Sequence, residues 1–155
     1  MPTWKQALRE GLVSGSLASV FSAAYLAWAG YRRGQTAAPV NAVSHWIFGN
    51  RALREDEPSV AHTLTGYLIH HAAALFWGVL YAKAWSARDA AKKPIPAVAG
   101  AVTAAGVACF VDYQLTPKRL TPGFEHRLGR PELANVYAFF ALGLAVGTLA
   151  MKKRR

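Results

Sequence analysis

The sequence predicts an all-α polytopic membrane protein with four transmembrane helices and short amphipathic helices in the first and third connections. Three observations carry that expectation. The apolar residues gather into four long runs free of Asp, Glu, Lys and Arg, whereas a soluble amphipathic helix brings polar residues back every turn. Basic residues flank those runs. Trp4, Tyr31, Trp85, Tyr113 and Tyr137 fall at or near run ends, where an amphipathic ring suits the membrane interface. The composition agrees, with 53% hydrophobic and 17% charged residues, against roughly 25% charged in soluble domains. At 155 residues the chain has room for one domain, 1–155.

Crossing ~30 Å of hydrocarbon takes ~20 residues at 1.5 Å each. The first run, 11–30, meets that length between Arg9-Glu10 and Arg32-Arg33. Lys5, Arg9 and Ala27-Trp28-Ala29 offer a competing reading as a cleaved signal peptide. The run exceeds the usual signal core of about 7–15 apolar residues, and Glu10 adjoins it, so a span is preferred. In the first connection, Val40, Val43 and Trp46/Ile47 recur at helical spacing, with Asn41, Ser44, His45 and Asn50 among them. That pattern predicts a short amphipathic helix lying on or dipping into the membrane face, after which the charged stretch 51–57 leads to Pro58.

The second run, 59–82, carries His62, His70 and His71. His70 and His71 lie roughly 16–18 Å into the run, near mid-membrane. An ionisable residue at that depth is costly and marks a functional candidate, although a neutral histidine hydrogen-bonded to a neighbouring helix is the preferred reading. The third run is free of charge over 94–111, where Asp112 closes it, and its helix is expected to continue to 115; it is rich in Ala and Gly and suits a central, tightly packed position. Asp112 is expected to pair with Lys118, Arg119 or His62. The third connection repeats Leu-Thr-Pro. There Thr121-Pro122 predicts a helix of a turn or two ending near Gly129, with the Thr hydroxyl as cap and Pro at the first position. The fourth run, 133–151, precedes the tail Lys152-Lys153-Arg154-Arg155.

Helices in lipid associate through small residues and hydrogen bonds, since the tails are as apolar as leucine. Gly11-x-x-x-Gly15, continued by Ser19 and Ala23, and Gly143-x-x-x-Gly147 therefore predict either a contact between the first and fourth spans or a homodimer seam. The amino-terminal segment, second connection and tail hold 10 Lys/Arg, against 8 in the much longer first and third connections. This denser positive side predicts both termini in the cytoplasm.

The net charge of +10 is accounted for by these flanks, so no nucleic-acid partner is expected; the partners are the lipid bilayer and a second copy or another membrane protein. A lone cysteine, Cys109, excludes an internal disulfide framework. His45, His62, Asp112 and His126 could meet on the periplasmic side, but no two share a recognised metal-ligand spacing. Only the second run holds histidines, so facing haem ligands are missing, as are di-iron carboxylate motifs and any nucleophile–base pair. The expectation is no metal, no cofactor and no enzymatic activity.

Pro39-Val40-Asn41-Ala42-Val43-Ser44-His45-Trp46, Gly66-Tyr67-Leu68-Ile69-His70-His71 and the stretch 112–128 resemble those of uncharacterised proteobacterial inner-membrane proteins of about this size. More faintly, Phe76-Trp77-Gly78-Val79-Leu80-Tyr81-Ala82 after a histidine is similar to acid-resistance-associated inner-membrane proteins of enterobacteria. The resemblance implies a bacterial inner-membrane setting and no particular activity. The expected role is a non-enzymatic accessory or envelope-associated membrane component. The alternative is a small oligomeric transporter or proton-linked channel using the histidine face of the second span.

Overall fold

The computed structural model describes residues 1–151 and is helical throughout, with no strand among the described residues. The basic tail Lys152-Lys153-Arg154-Arg155 lies outside the described residues. Helix α1 runs Trp4–Arg32, and the first connection folds into two short helices, α2 (Ala38–Val43) and α3 (His45–Phe48). Helix α4 (Thr65–Tyr81) has π-helical turns at both ends, Val60–Leu64 and Ala82–Ser86. Helix α5 (Pro94–Phe110) passes into a π-helical turn, Val111–Leu115, and α6 is Arg130–Ala150. Trp4–Arg32, Pro94–Leu115 and Arg130–Ala150 are the three helices, among the described residues, that are long and apolar enough to cross a membrane. The second run falls short of that measure. Its length with the two π-helical turns suffices, but the polar histidines and tyrosines within it dilute its hydropathy.

Two of the predicted span limits move outward. Helix α1 starts seven residues before Gly11 because Thr3 caps it, accepting from Gln6 N–H at its hydroxyl (3.2 Å) and from Ala7 N–H at its carbonyl (2.9 Å). Its 29 residues reach about 43 Å, well beyond the hydrocarbon thickness. Helix α6 starts three residues before Leu133, where the Glu132 carboxylate accepts from Gly129 N–H at 2.7 Å. The second run begins on Ser59 as the spacing implies. The Ser59 hydroxyl accepts from His62 N–H (3.0 Å) while Ser59 N–H donates to Thr63 Oγ1 (2.9 Å).

The described residues form two compact units, one of residues 1–22, 71–108 and 137–151, the other of residues 23–70 and 109–136. It passes from one to the other four times, each time within a helix: α1, α4, α5 and α6.

The first unit is built on small residues. A methyl group on Gly78 of α4 would stand 2.5 Å from the Gly11 carbonyl oxygen and 2.7 Å from Gly15 Cα. Gly143 and Gly147 of α6 instead meet α1 at Ala18 and Ser14. The predicted contact between the first and fourth helices is therefore present, but through Ser14 and Ala18. The Gly11/Gly15 pair serves α4, because positions 11/15 and 14/18 present different faces of one helix. Ala18, Ala74, Tyr81, Ala101, Ala105, Phe140, Ala141, Leu144 and Ala145 form the core there.

The third helix does not take the central place expected of it. A stripe of alanines at Ala97, Ala101, Ala105 and Ala108 is buried, while Ile95, Val98, Val102 and Val107 stand exposed. Small residues every fourth position let one face approach closely; branched side chains on the opposite face keep the rest of α5 at the periphery.

Charge also joins the ends of this unit. Glu10, read from sequence as a flanking charge, is buried and ion-paired with Lys92, with side-chain exposures of 9% and 11%. Gln6 Nε2 donates to Glu10 (3.2 Å) and to the Ala87 carbonyl (2.8 Å), and Lys83 Nζ donates to the Pro2 carbonyl (2.6 Å).

Candidate functional site

The second unit contains both long connections, and most of the polar candidates gather there. Helix α2 is buried on every side, which corrects the expectation of an amphipathic helix on the membrane face. The apolar residues that suggested a membrane face pack inward: Val40 and Val43 join Tyr25, Leu26, Phe124, Leu128 and Val136 in a second core. Gly66 of α4 allows this, since a methyl group there would collide with the Val40 carbonyl oxygen. Trp46, Ile47 and Phe48 of α3 are the exposed part.

Burying a helix buries its polar residues as well, and each must find partners. Asn41, with no exposed surface, uses its whole amide: Nδ2 donates to the Glu55 and Glu57 carbonyls (2.9 Å each), and Oδ1 accepts from Thr63 Oγ1 at 2.7 Å. Three matched partners fix which way the amide faces. The Ser44 hydroxyl donates to the Asn41 carbonyl at 2.7 Å. Ser44 Oγ also lies 3.1 Å from His62 Nδ1, within hydrogen-bond distance. His62 Nε2 then faces the Glu55 carboxylate at 3.9 Å, and the ring edge meets Phe48.

The two connections hold each other reciprocally. His45 Nε2–H (2.7 Å) and Trp46 Nε1–H (2.9 Å) both donate to the Thr121 carbonyl. In return, the Arg119 guanidinium donates to the carbonyls of His45 (2.6 Å) and Trp46 (3.0 Å). Thr121 is extended at this point (φ −64°, ψ 161°) and does not cap a helix. Its carbonyl is committed to α3, so the predicted helix from Thr121-Pro122 to Gly129 reduces to a short 3-10 turn, Phe124–His126. Gly123 (φ +98°) supplies the left-handed backbone, and a side chain there would strike the Ala42 carbonyl and the His45 ring.

Arginines complete the arrangement. Arg127 donates to the Leu53 carbonyl (3.0 Å) and Gln35 Oε1 (2.8 Å) and pairs with Asp56, which accepts from Gln35 Nε2 at 2.9 Å. Arg33 grips Glu132 through two contacts of 3.0 and 2.5 Å. The hydrogen bond to Glu132, and then its charge, push the Arg33 pKa above its ordinary value.

The sequence candidates thus divide. His45 and His62 enter the network. His126 does not; half exposed, it stands 3.7 Å from Glu125. Asp112 lies half-buried in the π-helical turn. His70 sets its ring edgewise to Phe124 at 6.4 Å, and in the other unit His71 Nδ1 lies 3.0 Å from Ser19 Oγ. No group of three or more His, Cys, Asp or Glu converges as a metal site among the described residues. Sequence reasoning missed Arg127 and the Glu10–Lys92 pair, and it named Arg119 only as a partner for Asp112, not for the His45 and Trp46 carbonyls. Glu10 carried a usable signal, as an acid nearly two turns inside a helix that begins at Trp4; Arg127 carried none.

No family model, curated protein or solved structure matches the chain.

Proposed function

We propose that this chain is a four-span protein of a bacterial inner membrane, with both termini cytoplasmic, acting as a non-enzymatic accessory component. The four passages through α1, α4, α5 and α6 support the span count, and α4 with its two π-helical turns extends over 60–86. The one observation that carries the role is the use of polar groups in the second unit. His45, Trp46, Arg119, Asn41 and Arg127 all donate to backbone carbonyls. Side chains spent on backbone hold a surface in shape and are not poised for substrate chemistry. The proteobacterial resemblance supports the setting.

Topology is testable with single cysteines in a Cys109→Ser background. Cysteine at Arg54 or Lys118 should react with an impermeant maleimide in intact spheroplasts, and cysteine at Arg88 only after lysis. The reverse pattern would invert the orientation, and sites 54 and 88 labelling from the same side would remove the α4 span.

The His71–Ser19 pair supports a second reading, proton-linked transport. Reconstituted protein should give proteoliposomes no more proton flux than empty vesicles. A flux abolished by His70→Ala or His71→Ala, in variants that still fold, would favour transport over the accessory role.

A further inference from the structure

Within the first unit, α4 and α5 enclose an apolar groove of about 550 Å³. Trp77, Leu80, Tyr81 and Trp85 form one wall, with Gly100 and Thr103 on the other. Its few polar atoms are already bonded. Tyr81 O–H donates to the Ala97 carbonyl (3.3 Å), Trp85 Nε1–H to the Pro96 carbonyl (3.0 Å) and Thr103 O–H to the Ala99 carbonyl (2.9 Å). The occupant of such a groove must be apolar where it lies inside. The volume falls within the ~300–1,000 Å³ typical of ligand sites. A second helix, about 10–12 Å across with its side chains, would fill about 550 Å³ in roughly one turn. An acyl chain is a slender apolar occupant that needs no more room.

The surroundings point the same way. Leu80, Val98, Val102 and Val107, on or beside the groove, are exposed and apolar, as lipid-facing residues are. A cation stands beside it: the Arg88 guanidinium lies 6.0 Å above the ring of Trp85, which lines the groove, and elsewhere in the same unit the Lys83 ammonium lies 4.9 Å above Trp4. Tryptophan beside Lys or Arg is the composition of the headgroup layer. Lys92 is consumed by Glu10, whereas no ion pair neutralises Arg88 among the described residues.

We propose that this groove binds one acyl chain of an anionic phospholipid, with the lipid phosphate on Arg88. The inference rests on the membrane setting proposed above. Gly100 makes room for the Trp85 indole that walls the groove: any side chain there would collide with the ring, which its bond to the Pro96 carbonyl holds against α5.

Native mass spectrometry of the full chain, released from mixed micelles of phosphatidylglycerol and phosphatidylcholine, tests this. The wild type should retain phosphatidylglycerol about fivefold over phosphatidylcholine, the preference expected of one basic residue at a membrane surface. Arg88→Glu should bring that ratio to about one or below. Thr103→Trp, which fills the groove, should lose both lipids; Ala99→Phe serves as a second blocking variant should Thr103→Trp fail to fold by circular dichroism. Equal retention of the two lipids by wild type, or an unchanged preference in Arg88→Glu, overturns the proposal. So does a blocking variant that keeps its lipid but loses a dimer peak, since the groove would then seat a second copy. Alkaline carbonate extraction separates the two failures: a chain released from membranes refutes the membrane setting, whereas a chain retained without lipid preference refutes only the site.

Discussion

The two units of this chain solve the same problem with different chemistry. In the first, helices approach until backbone meets backbone, as at Gly78 against Gly11 and Gly15. In the second, irregular connections are buried and side chains supply the hydrogen bonds that a regular helix would have made within itself, as Asn41 does for the Glu55 and Glu57 carbonyls. The contrast follows from the backbone. A helix satisfies its own amides and needs only a smooth partner, whereas a buried turn leaves donors and acceptors that something else must meet. Substitutions that add volume should therefore harm the first unit most, and substitutions that remove a polar group should harm the second.

The largest effect is expected from Gly78→Leu. Overpacking costs about 1–3 kcal/mol where neighbours can shift, and here the neighbours are the α1 backbone, so the loss should exceed that range. Size-exclusion of detergent-solubilised protein should give no monodisperse peak; a normal peak would show that α1 and α4 are not so closely apposed. Next comes Lys92→Met, the exception that sharpens the contrast, because it strands a buried carboxylate within the small-residue unit. Removing one partner of a buried pair costs about 3–5 kcal/mol. The double variant Glu10→Gln/Lys92→Met should recover most of that loss in SDS-titrated unfolding, and no recovery would mean that Lys92 acts through packing alone.

Asn41→Ala should cost about 2 kcal/mol, the penalty for unsatisfied buried groups. Asn41→Asp should do no better, since it keeps the acceptor for Thr63 but loses both donors. Full stability in either variant would break the hydrogen-bond account of the second unit. The smallest effect belongs to Ser19→Ala, which removes the His71 contact for about 0.6 kcal/mol, the typical worth of an interhelical hydrogen bond in a membrane. A cost of several kcal/mol there would mean the histidine is part of a larger network.

These comparisons also explain what was legible in the sequence. Long runs such as 94–115 declare themselves, because hydropathy is a property of consecutive residues. Gly143 and Gly147 were legible as a contact surface, but the face of α1 they meet was not; the choice between Gly11/Gly15 and Ser14/Ala18 depends on how three helices share one. Val40 and Val43 have the spacing of an amphipathic helix whether the apolar side faces lipid or protein, and only the burial of Asn41 and Ser44 separates those cases. Residues 119 and 127 hold segments more than seventy positions away. No local pattern encodes such a pairing. The histidines were found by depth and polarity, which identify an expensive residue without saying whether its partner is a carbonyl or a substrate.

The reciprocal bonds between residues 45–46 and 119–121 also impose an order of events. When the first connection emerges during synthesis, the carbonyl that will receive the His45 and Trp46 donors has not been made, and it follows only after two more helical segments. Contacts this distant along the chain form late, after shorter loops have closed. Until then the His45 and Trp46 side-chain donors lack their final acceptor. The second unit thus matures in one late step that locks residues 45 and 46 once the third connection arrives. An assembly intermediate with a protease-sensitive first connection is the natural consequence.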